Sequence, residues 1–216
     1  LIADINLELI NTYTQIKQAP LKVLAALKRF PDRAAKTFYS VRQIDPRDLT
    51  PVARAARFIF LNRLCFNGLY RTNKKGQFNV PFGGDRSGAI PGKAALLATS
   101  TALQNTTLIC SPFEKTAQRF RAGDFIYLDP PYSISNRRVF NNYAHDVFDL
   151  NNLKRLRQEL LLLDKTGIPF LLSYGLSKEG LDLSKGFRVR NAVVQRQISG
   201  FAAHRRKAQE LLVTNY

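Results

Sequence analysis

DFIYLDPPY (124–132) joins a short apolar run to an acid and two prolines, and this stretch decides the fold class. Apolar runs of this length, bounded by polar and turn-forming residues, are typical of buried strands. In open α/β sheets, ligands bind beyond the carboxyl ends of the strands. An acid placed directly after such a strand, Asp129, therefore predicts a functional site at the end of it.

Further strands and helices alternate along the chain on both sides of this stretch. The runs LIADI (1–5), TTLICS (106–111) and IPFLLS (168–173) also predict buried strands. Helical spacing of apolar residues predicts helices over 8–18, 20–30, 51–64, 93–103 and 150–165. Residues 187–198 and 210–216 are typical of a closing strand pair. The alternation predicts an α/β fold with a largely parallel sheet and helices on both faces.

A basic segment, 65–93, interrupts this pattern. It is rich in Gly, Asn, Lys and Arg, with interleaved Phe and Tyr, which favours loops and short hairpins over a long helix.

The charge of the chain indicates a polyanionic partner. Its 216 residues include 33 Lys and Arg against 16 Asp and Glu, a net charge of +17. Each neutralised phosphate releases counterions, so such an excess favours nucleic acid. Ribosomal and membrane-surface proteins are equally basic, and charge alone does not separate them from DNA-binding proteins. No apolar run is long enough to span a bilayer.

Few residues could bind a metal. His145 and His204 are isolated, so we expect no metal site. Cys65 and Cys110 have no partner motif, and we interpret them as reduced, buried thiols. Methionine is absent, including at position 1, so we expect Leu1 not to be the native start.

The tetrapeptide Asp129-Pro130-Pro131-Tyr132 suits an exocyclic amine such as adenine N6. Two prolines stiffen the loop and remove two N–H donors, which leaves carbonyl acceptors. The Asp129 carboxylate and the Pro130 carbonyl can accept the two N–H bonds of the amine and localise its lone pair. Tyr132 can stack on the base. The alternative interpretation of D-P-P-Y is an ordinary turn.

Longer motifs carry a family resemblance. D-P-P-Y is the catalytic motif of amino-methyltransferases that act on adenine in DNA. NRLCFNGLYRTNKKGQFNVPFG (62–83) closely resembles the target-recognition signature of the DNA adenine methylase (Dam) family, of the D12 class. LIADIN at the start resembles that family's second cofactor strand, and RQISGFAAHRRKAQELLVTNY (196–216) its C-terminal hairpin. The family's glycine-rich cofactor loop does not precede Leu1, so we expect an N-terminal segment to be missing.

The resemblance implies a Rossmann-like, S-adenosylmethionine-dependent methyltransferase sheet, formed by 1–19 and 105–216. A mainly helical and loop recognition lobe, 20–104, is inserted in it. The implied activity is methyl transfer to adenine N6 of double-stranded DNA, with a GATC-like site as the favoured target. The target adenine must be flipped out of the duplex. The implied setting is the cytoplasm of a bacterial or phage-infected cell, either beside a cognate restriction endonuclease or as a solitary methylase.

Site residues follow from the same resemblance. Asp4 is placed to bind the cofactor ribose hydroxyls, although it could instead cap the helix that begins near Leu7. Phe113 is placed to stack on the cofactor, although a core role is the alternative. Asp129 is expected to contact both cofactor and base.

Residues of the 62–83 signature are implied to read the DNA. Asn67, Leu69 and Arg71 match positions that contact the target, and Arg71 could bind guanine with a bidentate pair. Phe66 is expected to wedge between bases, and Pro81 to touch a thymine methyl. An ordinary solvated basic hairpin is the alternative. Phosphate contact or plain surface charge is expected of the remaining basic positions: Lys74, Lys75, Arg137, Arg138, Arg205 and Arg206.

Two rival functions remain open. A methyltransferase acting on RNA or on a protein glutamine commonly has Asn where Asp129 stands, and lacks the F-N-G-L-Y-R stretch. A catalytically inactive DNA-binding remnant would fit the absence of the glycine-rich loop. Cofactor binding by the intact gene product separates the two.

Overall fold

The structure is a computed structural model that describes residues 1–73, 75–131, 149–195 and 207–216. Its helices are α1 (Leu7–Gln18), α2 (Pro20–Leu27), α3 (Ala35–Gln43), α4 (Pro51–Leu64), α5 (Lys93–Leu103), α6 (Phe113–Ala117), α7 (Leu150–Lys165) and α8 (Lys178–Ser184). Its strands are β1 (Ile2–Asp4), β2 (Leu108–Cys110), β3 (Ile126–Leu128), β4 (Phe170–Gly175), β5 (Arg188–Gln195) and β6 (Lys207–Thr214). They divide between two compact units, Leu1–Phe113 and Glu114–Tyr216.

Helix α4 forms the centre of the first unit. Thr50 caps it through Oγ1, which accepts from the backbone N of Ala53 at 3.4 Å, and Pro51 occupies its first turn, where no N–H is needed. Its apolar residues are buried in a cluster with Val23 of α2 and Phe38 of α3. Strands β1 and β2 pair in parallel in this unit, with Asp4 opposite Cys110.

A four-stranded sheet in the order β3-β4-β6-β5 forms the second unit. β3 is parallel to β4, whereas β6 is antiparallel to both β4 and β5. Hence β3, β4 and β5 run in one direction and β6 alone is reversed. Helix α7 buries leucines at helical spacing, and the sheet buries alternate residues of β4 and β6: Leu153, Leu156, Leu160, Leu163, Phe170, Leu172, Tyr174, Leu211 and Val213.

The predicted elements recur in the structure with two corrections. The helices over 51–64, 93–103 and 150–165 are confirmed, as are the four strands and the closing pair. The prediction that LIADI, TTLICS and DFIYLD are buried is wrong, because β1, β2 and β3 each contain exposed residues, with Phe125 at 55% and Tyr127 at 58% exposed. Each of these strands is paired on one side only among the described residues, so its faces receive little cover. Helix α3 has no counterpart among the predicted elements.

None of the helices among the described residues has the length and apolar character needed to cross a membrane.

Candidate active site and recognition segment

Asp129 lies directly beyond the carboxyl end of β3, with an exposed side chain. The parallel register of β3 and β4, with Leu128 opposite Leu172, brings Asp129 beside Ser173. Ser173 Oγ donates a hydrogen bond of 3.0 Å to Oδ1 of Asp129. Oδ2 of Asp129 makes no hydrogen bond to any residue in the described part of the chain. One carboxylate oxygen is therefore held by the protein, and the other can accept from a ligand.

The two prolines continue this strand end. Pro130 and Pro131 are both partly buried, and as tertiary amides they offer carbonyl acceptors without N–H donors. Tyr132, the residue expected to stack on the base, lies outside the described residues. Asp129, Pro130 and Pro131 therefore form a stiff stretch in which the carboxylate and the proline carbonyls can accept hydrogen bonds and the prolines donate none.

Asp4 occupies the equivalent place at the end of β1. Its Oδ1 accepts a hydrogen bond of 2.7 Å from the backbone N of Asn6. Asn6 caps α1, since its Oδ1 accepts from the backbone N of Glu8 at 3.1 Å and of Leu9 at 3.2 Å. The alternative interpretation of Asp4 as the helix cap is wrong. The cap is the residue that directly precedes the first helical residue, and Asn is among the preferred types there.

Phe113 and Cys110 lie beyond or at the end of β2. Phe113 begins α6 and is partly exposed, so its ring does not belong to the fully buried core. Because β1 and β2 are parallel neighbours, Asp4 and Phe113 follow strand ends at the same sheet edge. Cys110 is exposed, so the prediction of a buried thiol there is wrong. Partial burial, and then the charge of Asp4, raise the pKa of the Cys110 thiol.

Residues 62–83 are called here the recognition segment. They begin in the last turn of α4 and continue as a loop that backbone hydrogen bonds close. Phe66 N donates to Pro81 O at 2.9 Å, and Gly83 N donates to Leu64 O at 2.8 Å. A Cβ at Gly83 would lie 2.7 Å from Cys65 O, so only glycine fits this approach. Cys65 is buried, which raises the pKa of its thiol to about 11. The base of the segment is therefore tightly closed.

A small hairpin follows inside the segment. Asn79 N donates to Arg71 O at 3.0 Å, and Thr72 and Phe78 form an antiparallel bridge. Phe78 and Val80 are buried, whereas Pro81 is exposed, as expected for alternate residues of an extended chain. This arrangement resembles the basic hairpin of the alternative interpretation, but its exposed positions include the apolar side chains of Leu69 and Pro81.

Arg71 is held within this hairpin by Asn79. Arg71 Nε donates to Asn79 Oδ1 at 2.6 Å, and Arg71 Nη2 donates to Asn79 O at 3.3 Å. The guanidinium of Arg71 is therefore oriented before any ligand binds.

Leu69 is 37% exposed, so its side chain is available at the surface.

Phe66 and Asn67 form a tight turn between α4 and the hairpin. Asn67 has a φ of 54°, in the left-handed region that Asn tolerates better than most residues. Phe66 is partly buried against the core of the first unit, and the guanidinium of Arg86 lies 5.0 Å from its ring centroid. The structure thus brings Phe66, Asn67, Leu69, Arg71 and Pro81 into one continuous segment of the first unit.

The sequence comparisons identify the family. The family model described as "D12 class N6 adenine-specific DNA methyltransferase" matches residues 1–207. This chain belongs to that family.

Individual relatives agree with the family match. The chain is similar to the Type II methyltransferase M1.LlaDCHI of Lactococcus lactis subsp. cremoris, with 34% identity over 100% of this chain and 78% of the relative. It is also similar to the DNA adenine methylase of Vibrio cholerae, with 34% identity over 98% of this chain and 78% of the relative. The Type II methyltransferase M.MjaIII of Methanocaldococcus jannaschii shares 33% identity over 100% of this chain and 80% of the relative.

Part of the positive charge of this D12 methyltransferase stabilises the fold. Arg57 is 6% exposed and donates from Nε to Val41 O at 3.1 Å and from Nη2 to Arg42 O at 2.9 Å. Arg54 forms a largely buried ion pair with Glu8. These cations are unsuited to phosphate contact, so the charge excess overstates the surface that can bind DNA.

The predicted phosphate contacts are only partly described. Lys75 is exposed at the tip of the hairpin, as a phosphate contact would require. The others lie outside the described residues: Lys74, Arg137, Arg138, Arg205 and Arg206.

Two polar residues of this D12 methyltransferase, Ser173 and Asn79, hold candidate site residues in place but were not predicted from the sequence. Ser173 is the one small polar residue in the run FLLSYG, and Asn79 is the polar member of the alternating stretch FNVP. A polar residue at a buried or inward-alternating position signals a required hydrogen bond. Ser173 carried that signal, but its partner depends on strand register, which the sequence does not specify. Asn79 gave no such signal, because it alternates with the buried Phe78 and Val80.

Proposed function

We propose that this protein transfers the methyl group of S-adenosylmethionine to N6 of adenine in duplex DNA, within a GATC-like site. The observation that supports it best is Asp129, which stands at the carboxyl end of β3 with Oδ1 held by Ser173 and is followed by Pro130 and Pro131. Family membership supplies the adenine-specific DNA methyltransferase class. The residue roles below are part of the proposal.

The proposed chemistry relies on positioning. Adenine N6 is a weak nucleophile because its lone pair is delocalised into the ring. Oδ2 of Asp129 and the carbonyl of Pro130 accept its two N–H bonds, which favours a tetrahedral nitrogen with a localised lone pair. The cofactor supplies a methyl group made electrophilic by a positively charged sulfur. With S-adenosylmethionine bound, N6 would bond to the methyl carbon, the sulfur would leave with the bonding pair as S-adenosylhomocysteine, and the proton lost by N6 would pass to Oδ2 of Asp129 and then to water. The protein contributes orientation and charge placement.

Asp4 and Phe113 fit a nucleoside cofactor by their chemistry. A partly exposed carboxylate can accept bonds from two ribose hydroxyls, and a partly exposed aromatic ring can stack on a purine. Both follow strand ends at the same sheet edge. Asp4→Asn keeps an acceptor for the N–H of Asn6 and removes the charge, so it should weaken binding of S-adenosylhomocysteine without unfolding α1. Calorimetric titration measures this directly, with the exposed Asp48→Asn as control.

The recognition segment suits the proposed reading of DNA. Asn79 orients Arg71, as a bidentate contact to guanine requires. The exposed Leu69 and Pro81 can contact thymine methyls, and Asn67 can hydrogen-bond a base edge. Phe66 would wedge between bases near the flipped adenine, and Tyr132 would stack on that base.

The proposed domain organisation has 1–19 and 105–216 as a Rossmann-like catalytic domain and 20–104 as an inserted lobe. Its support is the parallel pairing of β1 with β2, since α2 to α5 and the recognition segment all intervene between these neighbours. The common direction of β3, β4 and β5 also fits a doubly wound sheet. A cytoplasmic setting, and either a cognate restriction endonuclease or a solitary role, complete the proposal.

The test identifies the product and the site together. The intact protein and S-adenosylmethionine carrying a labelled methyl group are incubated with duplexes that have one GATC site or single-base variants of it. Parallel incubations contain an RNA or a protein substrate instead. The DNA is then digested to nucleosides. We expect labelled N6-methyl-2′-deoxyadenosine from the GATC duplex and far less from the variants. Label found only on RNA or protein substrates, or on cytosine, would overturn the proposal. Equal labelling of all duplexes would contradict the GATC-like specificity and leave the proposed reaction standing.

A further inference from the structure

Strand β4 contains a buried hydroxyl between two fully buried residues. Ser173 is 5% exposed, and its neighbours Leu172 and Tyr174 are both 0% exposed. A buried hydroxyl is unfavourable unless it is hydrogen-bonded. Within the described part of the chain, Ser173 Oγ has two partners, which are Asp129 Oδ1 at 3.0 Å and the hydroxyl of Tyr127 at 3.2 Å. The burial of Ser173 is therefore tied to the carboxylate beyond β3.

The direction of both hydrogen bonds follows from proton counting. A carboxylate only accepts, and Ser173 has a single hydroxyl proton. That proton goes to Asp129, so the hydroxyl of Tyr127 must donate to Ser173. The order of donation is Tyr127 to Ser173 to Asp129.

The sheet places these three groups together. Tyr127 and Asp129 are two residues apart in an extended chain, so their side chains leave the same face. Ser173 comes next to them because β3 and β4 are parallel, with Leu128 opposite Leu172. Two neighbouring strands of one sheet, with Asp129 directly beyond the end of β3, thus bring the three groups together.

We propose that Ser173 and Tyr127 are positioning residues of methyl transfer. They hold Oδ1 of Asp129 so that Oδ2 faces the substrate amine. This inference rests on the proposed function, because it requires Asp129 to accept a hydrogen bond from N6. Without the Ser173 bond, the carboxylate rotates and both oxygens are hydrated, and this hydration must be removed before N6 is aligned.

The test compares four variants of the intact protein in single-turnover methyl transfer at saturating DNA and cofactor. Ser173→Ala should be slower by roughly tenfold to a hundredfold, since it loses a hydrogen bond to a charged group. Ser173→Thr keeps the hydroxyl and should recover most of the rate. Tyr127→Phe should be slower by a few-fold, roughly, since it weakens the chain one step away.

Ser184→Ala is the matched control. Ser184 is also buried in the second unit, at 6% exposed, but its hydroxyl donates to Leu181 O at 2.9 Å. Its rate should equal that of the unmodified protein. The dissociation constants for DNA and for S-adenosylhomocysteine should stay unchanged in all four variants, which separates positioning from binding.

Three results would overturn the inference. They are a folded Ser173→Ala at the unmodified rate, a folded Ser173→Thr as slow as Ser173→Ala, and, if Ser173→Ala does not fold, a Tyr127→Phe at the unmodified rate. Failure of the proposed function looks different, because the unmodified protein would then leave no label on adenine in DNA, whereas an Asp129→Ala variant at the unmodified rate would remove the catalytic role on which this inference rests. Loss of activity in Asp129→Ala with no loss in Ser173→Ala would refute this inference alone.

Discussion

Asp129 and the recognition segment are held in place by different means. Asp129 follows a strand, and its carboxylate is fixed by a hydrogen bond from the neighbouring strand. The recognition segment has two isolated antiparallel bridges and a few backbone bonds, and it depends on Phe78 and Val80 packing beneath it. A sheet sets a reacting atom rigidly, whereas a loop on a helix can vary its outward residues without disturbing the sheet.

The comparison predicts that damage at the two regions affects different measurements. Changes at Asp129 should reduce the rate of methyl transfer on every DNA sequence. Changes in the recognition segment should alter the preference among sequences more than the maximal rate.

The largest effect is expected from Asp129→Ala. It removes the carboxylate that accepts from N6, so the single-turnover rate should fall on the order of a thousandfold or more. Asp129→Asn should retain more activity, because an amide oxygen still accepts one hydrogen bond. DNA binding, measured by fluorescence anisotropy, should persist. Asp182→Ala, an exposed acid of the same unit, is the control. If Asp129→Ala methylates DNA at the rate of the unmodified protein, Asp129 has no catalytic role.

Phe78→Ala should give the next largest effect and should act on stability. Phe78 is 9% exposed and packs against Tyr70 with ring centroids 5.8 Å apart. Loss of the ring should lower the free energy of unfolding by about 2–4 kcal/mol and loosen the hairpin. Denaturant titration measures the stability, and methylation of variant duplexes measures the preference. If stability falls while sequence preference is kept, the hairpin does not depend on its buried face.

Arg71→Ala should act on one base pair. Loss of a bidentate contact should cost about 1–3 kcal/mol on the cognate duplex and relax the preference at that base. Asn79→Ala should relax the same base by less, because Arg71 remains but is no longer oriented. Binding to the cognate duplex and to single-base variants at two salt concentrations distinguishes the roles. Equal weakening on every duplex with a changed salt slope would make Arg71 a phosphate contact.

Lys75→Ala should give the smallest effect, under about 1 kcal/mol at physiological salt, and the same on every duplex. The slope of log Kd against log salt should fall in magnitude by about 1. Lys185→Ala, an exposed lysine of the other unit, should leave the slope unchanged. A change of base preference in Lys75→Ala would mean that the hairpin tip reads sequence.

The helices and strands were predictable where local chemistry decides them. Pro51 after Thr50 marks the start of α4, and the leucine spacing of α7 gives its full length. Helix α3 was missed because it has no side-chain cap, and its two buried residues, Phe38 and Val41, are too few for a clear periodicity. The exposure of β1 and β2 depends on what covers them, which strand composition does not reveal.

The sequence motifs locate the candidate site residues, but they do not predict the hydrogen bonds that hold those residues in place. Asp129, Pro130 and Arg71 stand in contiguous motifs, so a family resemblance can locate them. Ser173 lies 44 residues from Asp129, and Asn79 meets Arg71 only when the hairpin closes. Both contacts depend on the pairing of separate segments, which no local pattern encodes.

The reversed strand β6 has a consequence for synthesis on the ribosome. β6 pairs with β4 on one side and β5 on the other, although both precede it in the chain. Until Lys207–Thr214 has emerged, β4 and β5 have no partner between them, and the backbone N–H and C=O groups that β6 pairs stay unpaired. The nascent second unit is therefore exposed to aggregation and proteolysis until translation has passed this strand, whereas the first unit can fold while the second is still being made.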